Sequence, residues 1–83
     1  MKVTDKFQDT SNHSIEWGNA TFNINQISIR NRYDNIQTGK FNKAGSGEIP
    51  WNDFKLMIKQ SILKKKLTNS ELAEILKDIA NVI

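Results

Sequence analysis

Cysteine is absent from this chain, and with it go disulfide cross-links, thiolate nucleophiles and sulfur-ligated metal sites. Histidine occurs once, at His13, in a polar stretch with no helical companion at metal-ligand spacing, so it reads as an exposed loop or strand-start residue. The acidic residues are scattered. Asp53 falls in the first turn of an expected helix and Glu71 in an expected helix cap, and those positions account for both. GKFNKAGSG (39–47) has the glycines of a phosphate-binding loop but not the G-x-x-x-x-G-K-[ST] spacing. No catalytic group, metal or cofactor is therefore expected. No apolar run approaches the ~20 residues of a membrane span. The opening stretch MKVTDKFQDTSNHS has no apolar run at all, so no secretory signal is expected. A cysteine-free chain suits a reducing cytoplasm, which is the expected location.

What is present is modest in amount. The 83 residues suffice for one domain, and 37% hydrophobic content for one small core. Chains this short are marginal alone, so a second copy sharing the core is expected. The net charge of +3 and pI near 9.3 are compatible with nucleic acid without requiring it.

All four glycines lie in residues 1–49, which read as strands, and none in residues 50–83, which read as helices. HSIEW (13–17) alternates with Ile15 and Trp17 on one face, and Gly18-Asn19 suits a tight hairpin turn. ATFNINQISIRNRYD (20–34) then reads as one long strand. Its apolar parity changes between Phe22/Ile24 and Ile27/Ile29, which predicts a bulge or sharp bend near Asn25-Gln26. Residues 2–8 can supply a further strand, the alternative being a flexible tail over 1–12, and Lys40-Phe41 a short one. Pro50 suits the first turn of a helix with Phe54, Ile58, Ser61 and Ile62 on its stripe, ended by Lys64, Lys65 and Lys66. Thr68-Asn69-Ser70-Glu71 is a capping box that opens a second helix with a stripe of Leu72, Ile75, Leu76, Ile79 and Ile83. The order predicts an α+β fold, an antiparallel sheet of about four strands followed by two helices on one face.

The only two arginines and the only tyrosine crowd into ISIRNRYD (27–34). ISIRNRY (27–33), GKFNKAG (39–45) and EIPWNDFKLMI (48–58) follow one another as strand, basic glycine loop and aromatic-led helix. This layout resembles the single-stranded-DNA-binding domain of the transcriptional positive cofactor four family, which has bacterial and phage relatives. The resemblance covers roughly residues 14–62. It implies a homodimer paired through its helices and basic, aromatic-bearing grooves for single-stranded DNA, or by extension RNA. Arg30 matches the family's strand arginine and Tyr33 its stacking aromatic, while Trp17 falls near another. Lys40 and Lys43 lie in the basic loop. Ser46-Gly47-Glu48 departs from the family's Lys-Gly-Ile, replacing a lysine and adding an acid. Residues 67–83, the extra C-terminal helix, lie outside the resemblance and could bind a protein partner.

The residues themselves are the right materials for a single-strand groove: Arg30, Arg32, Lys40 and Lys43 for phosphates, Tyr33 and Trp17 for bases. Strict alternation sets a tension. Tyr33 shares a face with Ile27 and Ile29, whereas Arg30 and Arg32 point to the other. Tyr33 thus has a second reading as a core-edge residue, and Trp17 one as a core tryptophan. The expectation is a non-catalytic single-stranded nucleic-acid-binding protein. The alternative is a small protein-interaction module.

Overall fold

Alternation along residues 13–19 and 27–33 governs the architecture. The computed structural model describes all residues 1–83. Four strands, β1 (Lys2–Thr10), β2 (His13–Asn19), β3 (Ile27–Tyr33) and β4 (Glu48–Pro50), form one antiparallel sheet in the order β1-β2-β3-β4. Two helices follow, α1 (Trp51–Leu63) and α2 (Asn69–Val82). The α+β class and the strand count are those expected.

Register sorts the side chains into two faces. Lys6, Glu16, Arg30 and Glu48 are cross-strand neighbours in a row of alternating charge. Asp5, Trp17, Ile29 and Ile49 make the matching row on the opposite, mainly apolar face. Cross-strand neighbours sit close enough to interact directly, so each row is an energetic unit.

The hairpin differs from expectation. Gly18 and Asn19 do not turn; β2 runs through both, pairing Gly18 with Val3 on one side and Ser28 on the other. Gly18 is required by space: a Cβ there would lie 2.0 Å from the Lys2 carbonyl oxygen. The reversal occupies residues 20–26, closed by the Gln26 carbonyl accepting from the Ala20 N–H at 2.9 Å. Within it the Asn23 side chain accepts from the Asn25 N–H at 3.0 Å, and the Asn19 amide donates to the Ile24 carbonyl at 3.0 Å. Such local bonds offer the backbone an alternative to a sheet ladder. The parity change near Asn25-Gln26 therefore marks a loop meeting a strand, and Phe22 and Ile24 are exposed on that loop. The irregularities lie in β1 instead, between Val3 and Asp5 and between Gln8 and Thr10. Residues 2–10 are strand throughout and not a tail, while Phe41 makes only an isolated bridge to Asp34.

Pro50 takes the cap position before α1 rather than its first turn. The three lysines lie just past the end of α1. Lys65 has φ +58° and Lys66 donates its N–H to the Ser61 carbonyl at 3.0 Å, while the Lys65 N–H reaches the Ile62 carbonyl at 3.1 Å. This pair of bonds is the Schellman ending, here with a lysine where glycine is usual. The capping box of α2 is complete: Thr68 Oγ1 accepts from the Glu71 N–H at 3.1 Å, and Glu71 Oε1 from the Thr68 N–H at 2.8 Å.

The expected core stripes of the helices are not buried within the chain. α1 meets β3 and β4, but neither helix buries a residue fully, and Trp51 and Phe54 are half-buried. Ala20 and Ile29 are the only buried apolar side chains. No helix is long and apolar enough to cross a membrane.

Candidate functional site

The polar face of the sheet is built around a buried carboxylate. Glu16, in the middle of β2, is 3% exposed and faces Arg30 across the β2–β3 ladder. Its Oε1 accepts from Arg30 Nε at 2.9 Å and lies 2.7 Å from Arg30 Nη2 in the ion pair, and its Oε2 accepts from Arg32 Nη1 at 3.3 Å. Arg32 Nε donates to Asp34 Oδ1 at 3.0 Å. The two guanidiniums are thus held in place, and their charge is matched locally by two carboxylates. A charge-assisted bond is shorter and stronger than a neutral one, so this network fixes rotamers as well as charge.

The segment between β3 and β4 folds over this network. Asn35 opens it: its Oδ1 accepts from the N–H groups of Gln37 and Thr38 at 2.9 and 3.0 Å, and Gly39 closes the turn with φ +71°. Buried Ser46 ties the far end back to β3. Its hydroxyl accepts from the Tyr33 N–H at 2.8 Å and donates at 3.2 Å to the Tyr33 carbonyl, which also accepts from the Asn42 N–H at 2.9 Å. Phe41 is thereby laid against both arginines, 4.7 Å from the Arg30 guanidinium carbon and 4.4 Å from that of Arg32. Cations over an aromatic face at this distance attract it electrostatically. Beside the stack lies a cleft of ≈ 470 Å³ whose lining includes Arg30, Phe41, Lys43, Ser46 and Glu48.

Glu48 sits at the end of the charged row. Burial pushes its carboxyl upward, but the hydroxyls of Ser28 (2.6 Å) and Thr21 (2.7 Å), the Thr21 N–H (2.8 Å) and the Met1 ammonium (3.9 Å) outweigh burial. They hold it below the usual carboxylate range. The Glu48 carboxylate is thus ionised near neutral pH and structurally engaged.

The six expected site residues divide between the faces. Arg30, Arg32 and Lys43 come together on the polar face around Phe41, and Lys40 is exposed on the turn leading into it. Trp17 and Tyr33 are on the opposite face. Trp17 lines an apolar cleft with Ile15, Ile29, Ile49 and Phe54. Tyr33 stacks on His13 with ring centroids 4.7 Å apart. His13 Nδ1 is 2.7 Å from Asp9 Oδ2 and its Nε2 is 2.5 Å from Asn31 Oδ1. Two acceptors flank one ring, and only the imidazolium donates to both. The hydrogen bond to Asn31 and then that to Asp9 raise the His13 pKa above its ordinary 6.5.

Two residues central to the site escaped the sequence reading. Glu16 shares the parity of Arg30, and their pairing emerges once the β2–β3 turn is placed at 20–26 rather than at Gly18-Asn19. Phe41 carries no periodic signal, because its position depends on the loop that Asn35, Gly39 and Ser46 close. Comparison with family models, curated proteins and solved structures found no match for this chain.

Proposed function

We propose that the protein binds single-stranded nucleic acid on the polar face of its sheet, at the Arg30–Phe41–Arg32 stack. The observation that carries this reading is that stack: two oriented guanidiniums against one aromatic ring, beside a cleft that Lys43 also lines. Single strands are held by cationic grooves for phosphate and flat faces for bases. Phe41, on the face of the arginines, supplies the flat face that Tyr33 and Trp17 do not. Glu16 and Asp34 orient the arginines at the expense of net charge, so binding is modest in affinity and falls with salt. The strand arginine and basic loop of the family resemblance support the same reading, and the cytoplasm is its proposed setting. The chain has no proposed catalytic role.

The alternative, a protein-interaction module, draws on the apolar cleft around Trp17 on the opposite face. Fluorescence anisotropy of labelled oligo-dT, titrated at two salt concentrations, separates the two. We expect salt-sensitive binding, weakened roughly tenfold by Phe41→Ala, consistent with ~1–3 kcal/mol per stacked base, and weakened also by Arg32→Ala. Tyr33→Ala, on the other face, should bind like the parent. Absence of binding at low salt, or loss with Tyr33→Ala but not Phe41→Ala, would overturn the proposal.

A further inference from the structure

The outer side of α1 carries apolar residues that its packing does not use. Phe54, Met57, Ile58 and Ser61 line the cleft between the helices with Leu67 and Ile75, and Phe54 also reaches the sheet cleft of Trp17 and Ile29. Leu56 and Leu63 fall on the far side of the helix, two turns apart. They are 56% and 63% exposed and line neither cleft. A helix packed on one side needs one apolar stripe, and these leucines begin a second.

The charge around them has one sign. Lys59 lies between the two leucines and Lys55 beside them, while Lys64, Lys65 and Lys66 occupy the turn that follows α1. All five lysines are exposed, and none enters an ion pair. Residues 54–70 contain no acid. Asp53 precedes the segment in the first turn of α1, and Glu71 follows it with its carboxylate committed to the Thr68 N–H at 2.8 Å. Backbone bonds order the turn, so Leu63 and the three lysines stand at one fixed end of α1.

What this surface lacks narrows the partner. It has no arginine, tyrosine or tryptophan, the side chains that anchor protein interfaces, and lysine is depleted in such interfaces. It offers no aromatic face to a base, and it lies across the sheet from the Arg30–Phe41–Arg32 stack. Aliphatic side chains among unpaired lysines match a lipid surface. The leucines enter the acyl boundary, the lysine stems cover apolar area, and the ammonium groups meet anionic headgroups. A helix of 13 residues is too short to span a bilayer, so the contact lies along the surface.

We propose that Leu56, Leu63 and the lysines between 55 and 66 form a peripheral docking surface for a membrane that carries anionic lipid. Docking of this kind is independent of nucleic-acid binding, which uses the other side of the sheet.

Flotation of the full chain with vesicles of phosphatidylcholine alone, or with about 30% phosphatidylglycerol added, tests it. We expect binding to the anionic vesicles, little to phosphatidylcholine, and release in about 1 M salt, where charges are screened within ~3 Å. Lys64→Gln/Lys66→Gln should weaken vesicle binding roughly thirtyfold, at about 1 kcal/mol per lysine. Leu56→Gln/Leu63→Gln should weaken it by roughly tenfold or more. Gln forms helix about as well as Leu, and both positions are exposed, so thermal unfolding and oligo-dT affinity should stay at the parent's values. Failure to bind anionic vesicles at low salt overturns the proposal. So does equal binding to both vesicle compositions, or vesicle binding that either double variant leaves unchanged. Loss of oligo-dT affinity in Lys64→Gln/Lys66→Gln, with no vesicle binding by the parent, would assign the lysines to nucleic acid instead.

Discussion

At the scale of single residues, two ionisable groups decide how the sheet responds to pH and to substitution. His13 bridges Asp9 on β1 and Asn31 on β3, so its proton helps tie three strands together. Its folded pKa is raised above 6.5. The stabilisation is therefore fully present below pH 6.5, the unfolded value, and is lost as pH rises through the folded value. Because the chain has one histidine, its ring resonances titrate without overlap. We expect an NMR midpoint above 6.5 and faster amide exchange near Asp9 and Thr10 beyond that midpoint. A midpoint at or below 6.5 would remove the bridge from the account. Glu16 makes the second case. Removing one partner of a buried ion pair leaves the other uncompensated, and Arg32 at 26% side-chain exposure softens the loss. Glu16→Gln should cost about 3 kcal/mol in urea unfolding, the low end for a buried pair. It should also tighten oligo-dT binding several-fold by unmasking both guanidiniums. A less stable protein that binds more tightly is the signature of a carboxylate that orients and masks; weaker binding by a folded Glu16→Gln chain would contradict that role. Alternation alone separated Tyr33 from the arginines, and the structure keeps them on opposite faces. Phe41 was out of reach, because a loop residue has no period to read.

At the scale of elements, local chemistry was legible where one short segment decides the outcome. The capping box is local: four residues define it, and both reciprocal bonds form. Replacing Thr68 with Ala should lower stability by about 1 kcal/mol. Circular dichroism under thermal or urea unfolding measures this, and oligo-dT affinity in the native range should not change. The end of α1 is also local in its bonds, but the left-handed lysine at its close has no sequence signal. The hairpin shows why local signals fail. Gly-Asn is a strong turn dipeptide, yet Gly18 serves a close approach by the Lys2 carbonyl, a contact made by a strand far away in the chain. The Asn-rich segment 19–25 turns the chain instead, through side-chain bonds to its own backbone. That displacement changed which residues of β2 and β3 oppose one another, and hence hid the Glu16–Arg30 pair.

At the scale of the whole molecule, charge and apolar area point in different directions. The net charge of +3 is small for a nucleic-acid binder, and the arginines contribute little of it beyond their own carboxylates. Lys6, Lys40 and Lys43 remain, so the slope of log affinity against log salt should be shallow, about −2 per chain at ~0.7 per neutralised phosphate. The apolar stripes of both helices, by contrast, stay largely exposed. By itself the sequence determined the α+β class, the division into a strand half and a helix half, the opposite facing of Tyr33 and the arginines, and the start of α2. These follow from periodicities and caps that act over a few residues. Only the tertiary structure decided the strand register, the burial of Glu16 between two arginines, the placement of Phe41 over them, and the exposure of stripes that look like core. Each depends on which distant segment arrives at a given site, and the pattern of a single strand or helix does not carry that.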